Sequence, residues 1–129
     1  MAQHRYRDGS RFEQVAAYSR AARAGRRIVV SGTAALDEDG HALHPGDLEA
    51  QTRAALAIAI AAVEALGGSK TDVILTRMYL APGVDWRGCV AAHQEVFAGI
   101  DPANTTVYAG GLIPQGALIE VELEAEVTD

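Results

Sequence analysis

Aromatic side chains are scarce in this sequence, at 5% of its residues, so the interior has to be filled by the abundant Ala, Val, Ile and Leu. Small side chains in that role imply close packing of backbones, because interiors tolerate few voids. Cysteine occurs once, as Cys89, which excludes an intrachain disulfide and leaves nothing that demands an oxidising compartment. A cytoplasmic location is the expectation. Residues 1–8 are polar and mixed in charge, with no basic stretch leading into an apolar run, so no secretory signal is expected. The apolar run at residues 54–65 is interrupted at Glu64 and preceded by Arg53, well short of the roughly 20 residues that span a bilayer. It reads as a buried helix, and no membrane partner is expected.

Several signatures of chemistry are also missing. There is no G-x-G-x-x-G, no phosphate-binding Walker loop, no G-x-S-x-G and no H-E-x-x-H. Nucleotide-driven chemistry therefore has no foothold, and no cofactor is implied. Positive charge is in deficit: 17 acidic residues against 11 basic ones give a net charge of -6, which repels a polyanion held by phosphate contacts. Nucleic acid is not an expected partner. Arg20, Arg23, Arg26 and Arg27 do cluster, but that grouping reads as a solvated hairpin.

What is present fits one compact domain spanning residues 1–129, with 49% hydrophobic and 22% charged residues. Residues 15–24 form a moderately apolar run broken by Gly25, and RIVVSGT (27–33) is β-branched, so the two read as a hairpin. Residues 36–46 (LDEDGHALHPG) collect turn-setting residues and predict a surface loop. Asp47 then suits the N-cap of a long helix whose stripe is Leu48, Thr52, Ala55, Leu56, Ala59, Val63 and Leu66, ending at Gly67 and Gly68. DVILTRMYL (72–80) reads as a strand. A second helix, capped by Asp85, would place Trp86, Cys89, Val90, His93, Val96 and Phe97 on one face before Gly99 closes it. NTTVYA (104–109) is a short strand, and ALIEVELEAEV (117–127) is a final one of strict parity. Ile119, Val121, Leu123, Ala125 and Val127 point one way there; Glu120, Glu122, Glu124 and Glu126 point the other. The order implies a sheet covered on one face by two helices, with its glutamate-bearing face meeting either water or another subunit.

Few side chains stand out as reactive. His41 and His44, near Asp37 and Asp39, have no clear further ligand set, and no metal site is expected. Cys89 and His93 fall on the core-facing stripe of the second helix and read as packed residues.

Over residues 18–127 the sequence is similar to the Rid family, also called the YjgF or reactive-intermediate-deaminase family. The resemblance is carried by Tyr18, by IVVSG at 28–32, by GDLEAQTRAAL, by ALGGSKTDVILTRMYL, and by AHQEVF, DPANTTV and LIPQGALIEVELEAE in that order. It implies an α/β chorismate-mutase-like fold, a mixed sheet with two helices on one face, and a homotrimer with small-molecule clefts between subunits. In the family's best-studied branch the cleft hydrolyses imines or enamines to a keto acid and ammonia. Carried over by position, Tyr18, Ser31, Gly32 and Glu120 keep the family's residue types. Asn104 stands where the family has a carboxylate-gripping arginine, Thr106 where it has a cysteine, and Val90 where it has an asparagine. The resemblance thus implies Glu120 as the catalytic residue, with Tyr18, Ser31, Gly32, Asn104 and Thr106 as ligand contacts.

Asparagine offers hydrogen bonds without charge, so classical 2-imino acid deamination is not expected, and the sequence places neither Arg77 nor Arg20 to replace the arginine. Four readings stay open. One is a deaminase-like hydrolase acting on another small imine or enamine through Glu120 and water. A second is a non-catalytic metabolite-binding or regulatory trimer, in which Glu120 is only a rim carboxylate. A third is the endoribonuclease activity often attached to this family, against which the charge and the lack of a histidine pair count. The last is a tailoring enzyme for a larger natural product or an aromatic-ring breakdown intermediate.

Overall fold

The computed structural model describes residues 3–128. Its elements are β1 (Gln3–Tyr6), α1 (Arg11–Ala16), β2 (Ala21–Ala24), β3 (Arg27–Thr33), α2 (Leu48–Ala65), β4 (Val73–Leu80), α3 (Arg87–Phe97), β5 (Ala103–Tyr108) and β6 (Ile119–Glu126), with a single 3-10 turn at Lys70–Asp72. The strands form one mixed six-stranded sheet in the order β1-β2-β3-β6-β4-β5, antiparallel throughout except for the parallel pair β4/β5. Both long helices lie on one face: α2 packs on β3 and β6, and α3 packs on α2.

The period-two pattern of β6 sets the layer boundary. Ile119, Val121, Leu123 and Ala125 are all fully buried under the helices, while Glu120, Glu122 and Glu124 are half-buried on the opposite face. Helix α2 follows its 3.6-residue stripe, burying Leu48, Thr52, Ala55, Leu56, Ala59 and Val63, with Asp47 accepting a hydrogen bond from the Ala50 amide at 3.0 Å. Gln51 is also fully buried. Its amide donates to the carbonyls of His44 and Gly116 and accepts from the Leu118 amide, so one side chain ties the loop before α2 to the entry of β6. The close packing that a core poor in rings requires is visible at Gly88, where an added Cβ would meet the Glu49 amide nitrogen of α2 at 3.3 Å.

Three expectations need correction. Residues 15–24 are not one strand: α1 occupies Arg11–Ala16 and β2 begins only at Ala21. Ser10 caps α1 by accepting from the Phe12 amide, and Ala17 ends it in the left-handed region at φ 58°. β1, absent from the expected order, is an edge strand of polar residues paired with β2 by its backbone. The α3 stripe is rotated as well: Cys89, Ala92 and Phe97 are buried, whereas Trp86 and Val90 are 45% and 47% exposed. The residue at the first boundary is Trp86, and Asp85 caps the next amide by accepting from Arg87.

The arginine cluster is the third correction, because half of it is not solvated. Arg20 is 7% exposed. Arg23 is half-buried and donates to the Leu66 carbonyl at 2.7 Å, setting a cation at the C-terminal end of α2.

Candidate functional site

The glutamates of β6 are not equivalent. Glu124 is bridged by Arg27 and by Arg77, the latter at 2.7 Å, and the Arg77 hydrogen bond holds its carboxyl below the ordinary range. Glu122 accepts a hydrogen bond from the Tyr79 hydroxyl, which pushes the Tyr79 phenol upward. Glu120 receives no hydrogen bond or ion pair from any of the described residues, although it is half-buried. Burial raises its carboxyl above the ordinary value; the positive charge of Arg20 opposes that rise, and neighbouring Glu122 adds to it.

The hairpin meets Glu120 at Gly32. The β3/β6 register shifts between Val30 and Thr33, so Ser31 and Gly32 together oppose the single residue Glu122, and the Glu120 side chain reaches along the strand to Gly32. A Cβ on Gly32 would lie 2.7 Å from Glu120 Oε1, a distance no side chain accepts without displacement. Glycine is what admits the carboxylate here. Ser31 lies beside it, yet its hydroxyl is bonded within the hairpin, to the carbonyls of Ser19 and Arg20, each at 3.0 Å. The half-buried Tyr18 ring sits 5.8 Å from the Arg20 guanidinium.

Sequence reasoning missed the two buried ions that hold this corner. Glu13, 4% exposed, accepts from the amides of Asp8, Gly9 and Arg20. Arg20 sends Nε to Asp8 at 3.1 Å, and Nη1 to the Gly32 carbonyl at 2.7 Å, Thr33 Oγ1 at 3.1 Å and Ser31 Oγ at 3.3 Å. Glu13 belongs to no apolar period or short motif, and the arginine cluster that marks Arg20 gives no sign of which of its members is buried.

Asn104 and Thr106 fall elsewhere. β5 is an edge strand separated from β6 by β4. The register pairs Asn104 with Thr76 and Thr106 with Met78, both buried on the helix side, whereas Glu120 pairs with Tyr79. By alternation, Asn104 and Thr106 lie on the opposite side of the sheet from Glu120. They are joined in a polar chain: Thr106 Oγ1 donates to Asn104 Oδ1, Asn104 Nδ2 donates to Thr76 Oγ1, and that hydroxyl is bonded to His93 Nε2, each link 2.9 Å long. Burial lowers the His93 pKa. One chain therefore brings Gly32, with Ser31 beside it, to Glu120, sets Tyr18 against Arg20, and places Asn104 and Thr106 on the other face of the sheet.

The remaining candidates are quickly placed. Cys89 is buried, with its thiol pushed up by desolvation and donating to the Trp86 carbonyl, which suits packing and not nucleophilic attack. Ligand atoms of Asp37, Asp39 and His41 come within 4.8 Å of one another on an exposed loop, and His44 is not among them. A cleft of about 280 Å³ opens between the N-terminal segment and the loop after β3, lined by Asp8, Arg11, Arg20, Asp37, Glu38 and Ile58 among others. Glu120 is not part of its lining. Among the described residues, no helix is long and apolar enough to cross a membrane.

A mixed sheet with two helices on one face is the architecture of known proteins. The structure superposes on Rv2704 of Mycobacterium tuberculosis, a member of the YjgF/YER057c/UK114 family, with a TM-score of 0.86 and 35% identity over 98% of this chain and all of that one. It also matches a Rid-family protein of unknown function, YyfA of Yersinia pestis, with a TM-score of 0.83 and 26% identity over 98% of this chain and 100% of that one. The uncharacterised protein SCO2049 of Streptomyces coelicolor is 35% identical over 121 residues, covering 94% of this chain and 90% of its own. The family description Endoribonuclease L-PSP matches residues 9–127, and the chain belongs to that family, known equally as YjgF or Rid.

Proposed function

We propose that this chain is a deaminase-like hydrolase of small reactive imines or enamines, acting in the cytoplasm as a homotrimer with its cleft completed between copies. The observation that carries the reading is Glu120: a half-buried carboxylate of raised pKa that no described side chain has claimed, facing a gap that only glycine leaves open. A carboxyl tuned upward by burial can exchange protons closer to neutral pH than an ordinary one. Water adds to the C=N carbon while Glu120 takes its proton and returns it to the nitrogen. The resulting carbinolamine then gives its hydroxyl proton to Glu120, which passes it to the nitrogen as the C–N bond breaks, leaving a carbonyl and ammonia. An enamine enters the same route after protonation at carbon to the imine.

Separation of Glu120 from Asn104 and Thr106 across the sheet supports a shared cleft, since only a neighbouring copy can bring the second set to the first. Asn104 carries no charge and is engaged by Thr76 and Thr106, which favours a neutral or cationic substrate over a 2-imino carboxylate. The test is ammonia release from a panel of neutral imines and enamines. Glu120→Gln should abolish it, and an unchanged rate in that variant would end the proposal.

One set of observations favours the alternative, a metabolite-binding or regulatory trimer: the hydroxyls of Ser31 and Thr106 and the amide of Asn104 are all bonded within the chain. In that case a ligand would raise the melting temperature without being consumed. The endoribonuclease named in the family description is disfavoured by the net charge of -6 and by a sheet face carrying three half-buried glutamates.

A further inference from the structure

The Glu120 corner contains a buried cation as well as the carboxylate. Arg20 is withdrawn from water at 7% exposure, and its Nη1 is held by three acceptors in consecutive residues, Ser31, Gly32 and Thr33. Those residues include the irregularity in β3, within which the Glu120 carboxylate meets Gly32. Gly32 lies between the two groups: its carbonyl accepts from Arg20 at 2.7 Å, and the Glu120 carboxylate occupies the side on which a Cβ would stand. A planar guanidinium can hold several oxygens in fixed directions at once, which a lysine ammonium on a flexible stem does less well.

We propose that Arg20 is the positioning residue of the Glu120 site: its guanidinium, fixed by the oxygens of Ser31, Gly32 and Thr33, stands as the countercharge of the carboxylate that reaches Gly32. The inference rests on the reading of Glu120 as the proton-exchanging group and adds what sets the pH range of that exchange. The other titratable groups around Glu120 are Tyr79, its register partner on β4, and Glu122 on β6; β3 offers only the uncharged Ser31 and Gly32 there. Tyr79 and Glu122 are occupied with each other, which leaves Arg20 as the cation acting on Glu120. Asp8 lies behind it, bonded to Nε, and offsets part of its charge.

Two functions of an arginine, shaping a segment and supplying charge, predict opposite results when it is removed. Loss of shape alone would let water in and bring Glu120 down towards its ordinary value. Loss of countercharge would send it up. The experiment is a side-chain carbon NMR titration of Glu120 in the full-length protein, comparing the parent with Arg20→Gln, Arg20→Lys and Asp8→Asn. The expected results are an upward shift of the Glu120 midpoint in R20Q, a partial return towards the parent in R20K, and a downward shift in D8N, where Arg20 loses its offset. An unchanged or lowered midpoint in R20Q overturns the proposal. If R20Q fails to fold, D8N decides alone, and an unmoved or raised midpoint there is equally fatal. No substrate enters this measurement. Shifted midpoints without any imine hydrolysis would refute the hydrolase and leave Arg20's role standing, while hydrolysis with unmoved midpoints would do the reverse.

Discussion

At the scale of single residues, the site depends on two unlike kinds of economy, absence of a side chain at Gly32 and presence of a buried charge at Glu13. Gly32 is exposed and its neighbour is the far end of a flexible side chain, so Gly32→Ala should alter stability by only about 0.5 kcal/mol. The same substitution should displace the Glu120 carboxylate and remove most of any activity, a split that thermal melts and ammonia assays on one sample would reveal. Glu13 behaves oppositely. Its carboxylate satisfies the amides of residues 8, 9 and 20, so Glu13→Ala should cost at least about 2 kcal/mol by urea denaturation.

Protonation gives a third residue-scale prediction. A carboxyl whose pKa is raised on folding binds more protons folded than unfolded. Ionising Glu120 therefore removes stability as pH rises from its unfolded value, near the ordinary 4.5, through its higher folded value. Glu124, with a lowered pKa, contributes in the opposite sense: its stabilisation is present above the unfolded value and is lost as pH falls through the folded one. In the difference between the parent and Glu120→Gln, the Glu124 contribution cancels. The variant should gain in melting temperature relative to the parent as pH climbs from about 4.5 to neutrality, and a constant difference across that range would contradict the burial assigned to Glu120.

At the scale of elements, α2 and β6 carry the fold. Leu56 is fully buried at the centre of the α2 stripe, and Leu56→Ala should cost about 2–5 kcal/mol. These two elements were legible because each repeats one period over many residues, and the repeat survives any tertiary detail. The short elements were not. Helix α1 has six residues and is held by Ser10, Ala17 and Glu13, contacts that span a few positions and form no period. β1 pairs through its backbone, which leaves no mark on side-chain order. The face of α3 was read too wide on one side: Cys89 and Phe97 are buried as expected, but the seat on α2 takes Ala92 and leaves Trp86 and Val90 exposed, and three- and four-residue steps alone do not choose between those neighbouring rows.

The site divides in the same way. Glu120 and Gly32 were reachable from sequence because resemblance to a family supplied their positions and strand parity supplied their facing. The linkage of Arg20 to Gly32 joins residues 12 positions apart through an irregular register, and a sequence read alone leaves that arginine in the solvent. Asn104 and Thr106 could be assigned a strand, but only the register shows that they occupy the face opposite Glu120.

At the scale of the whole molecule, one chain is an incomplete object under this account. The sheet face away from the helices bears the apolar side chains Val29 and Val107, 40% and 44% exposed, between its ion pairs. A neighbouring copy would cover them and bring its own β5 edge towards Glu120. Light scattering should give about three times 13.6 kDa; a monomer would leave the two half-sites apart and remove the basis for a shared cleft. The acidic balance of the molecule, -6 overall, adds the expectation that purified protein leaves RNA intact.

The most direct measurement is the pH dependence of ammonia release from a neutral imine, for the parent and for Glu120→Gln. The account predicts a rate in the parent governed by an ionisation above the ordinary glutamate value of 4.5, and no enzymatic rate in the variant at any pH. Equal rates in the two proteins, with the same pH profile, would contradict it.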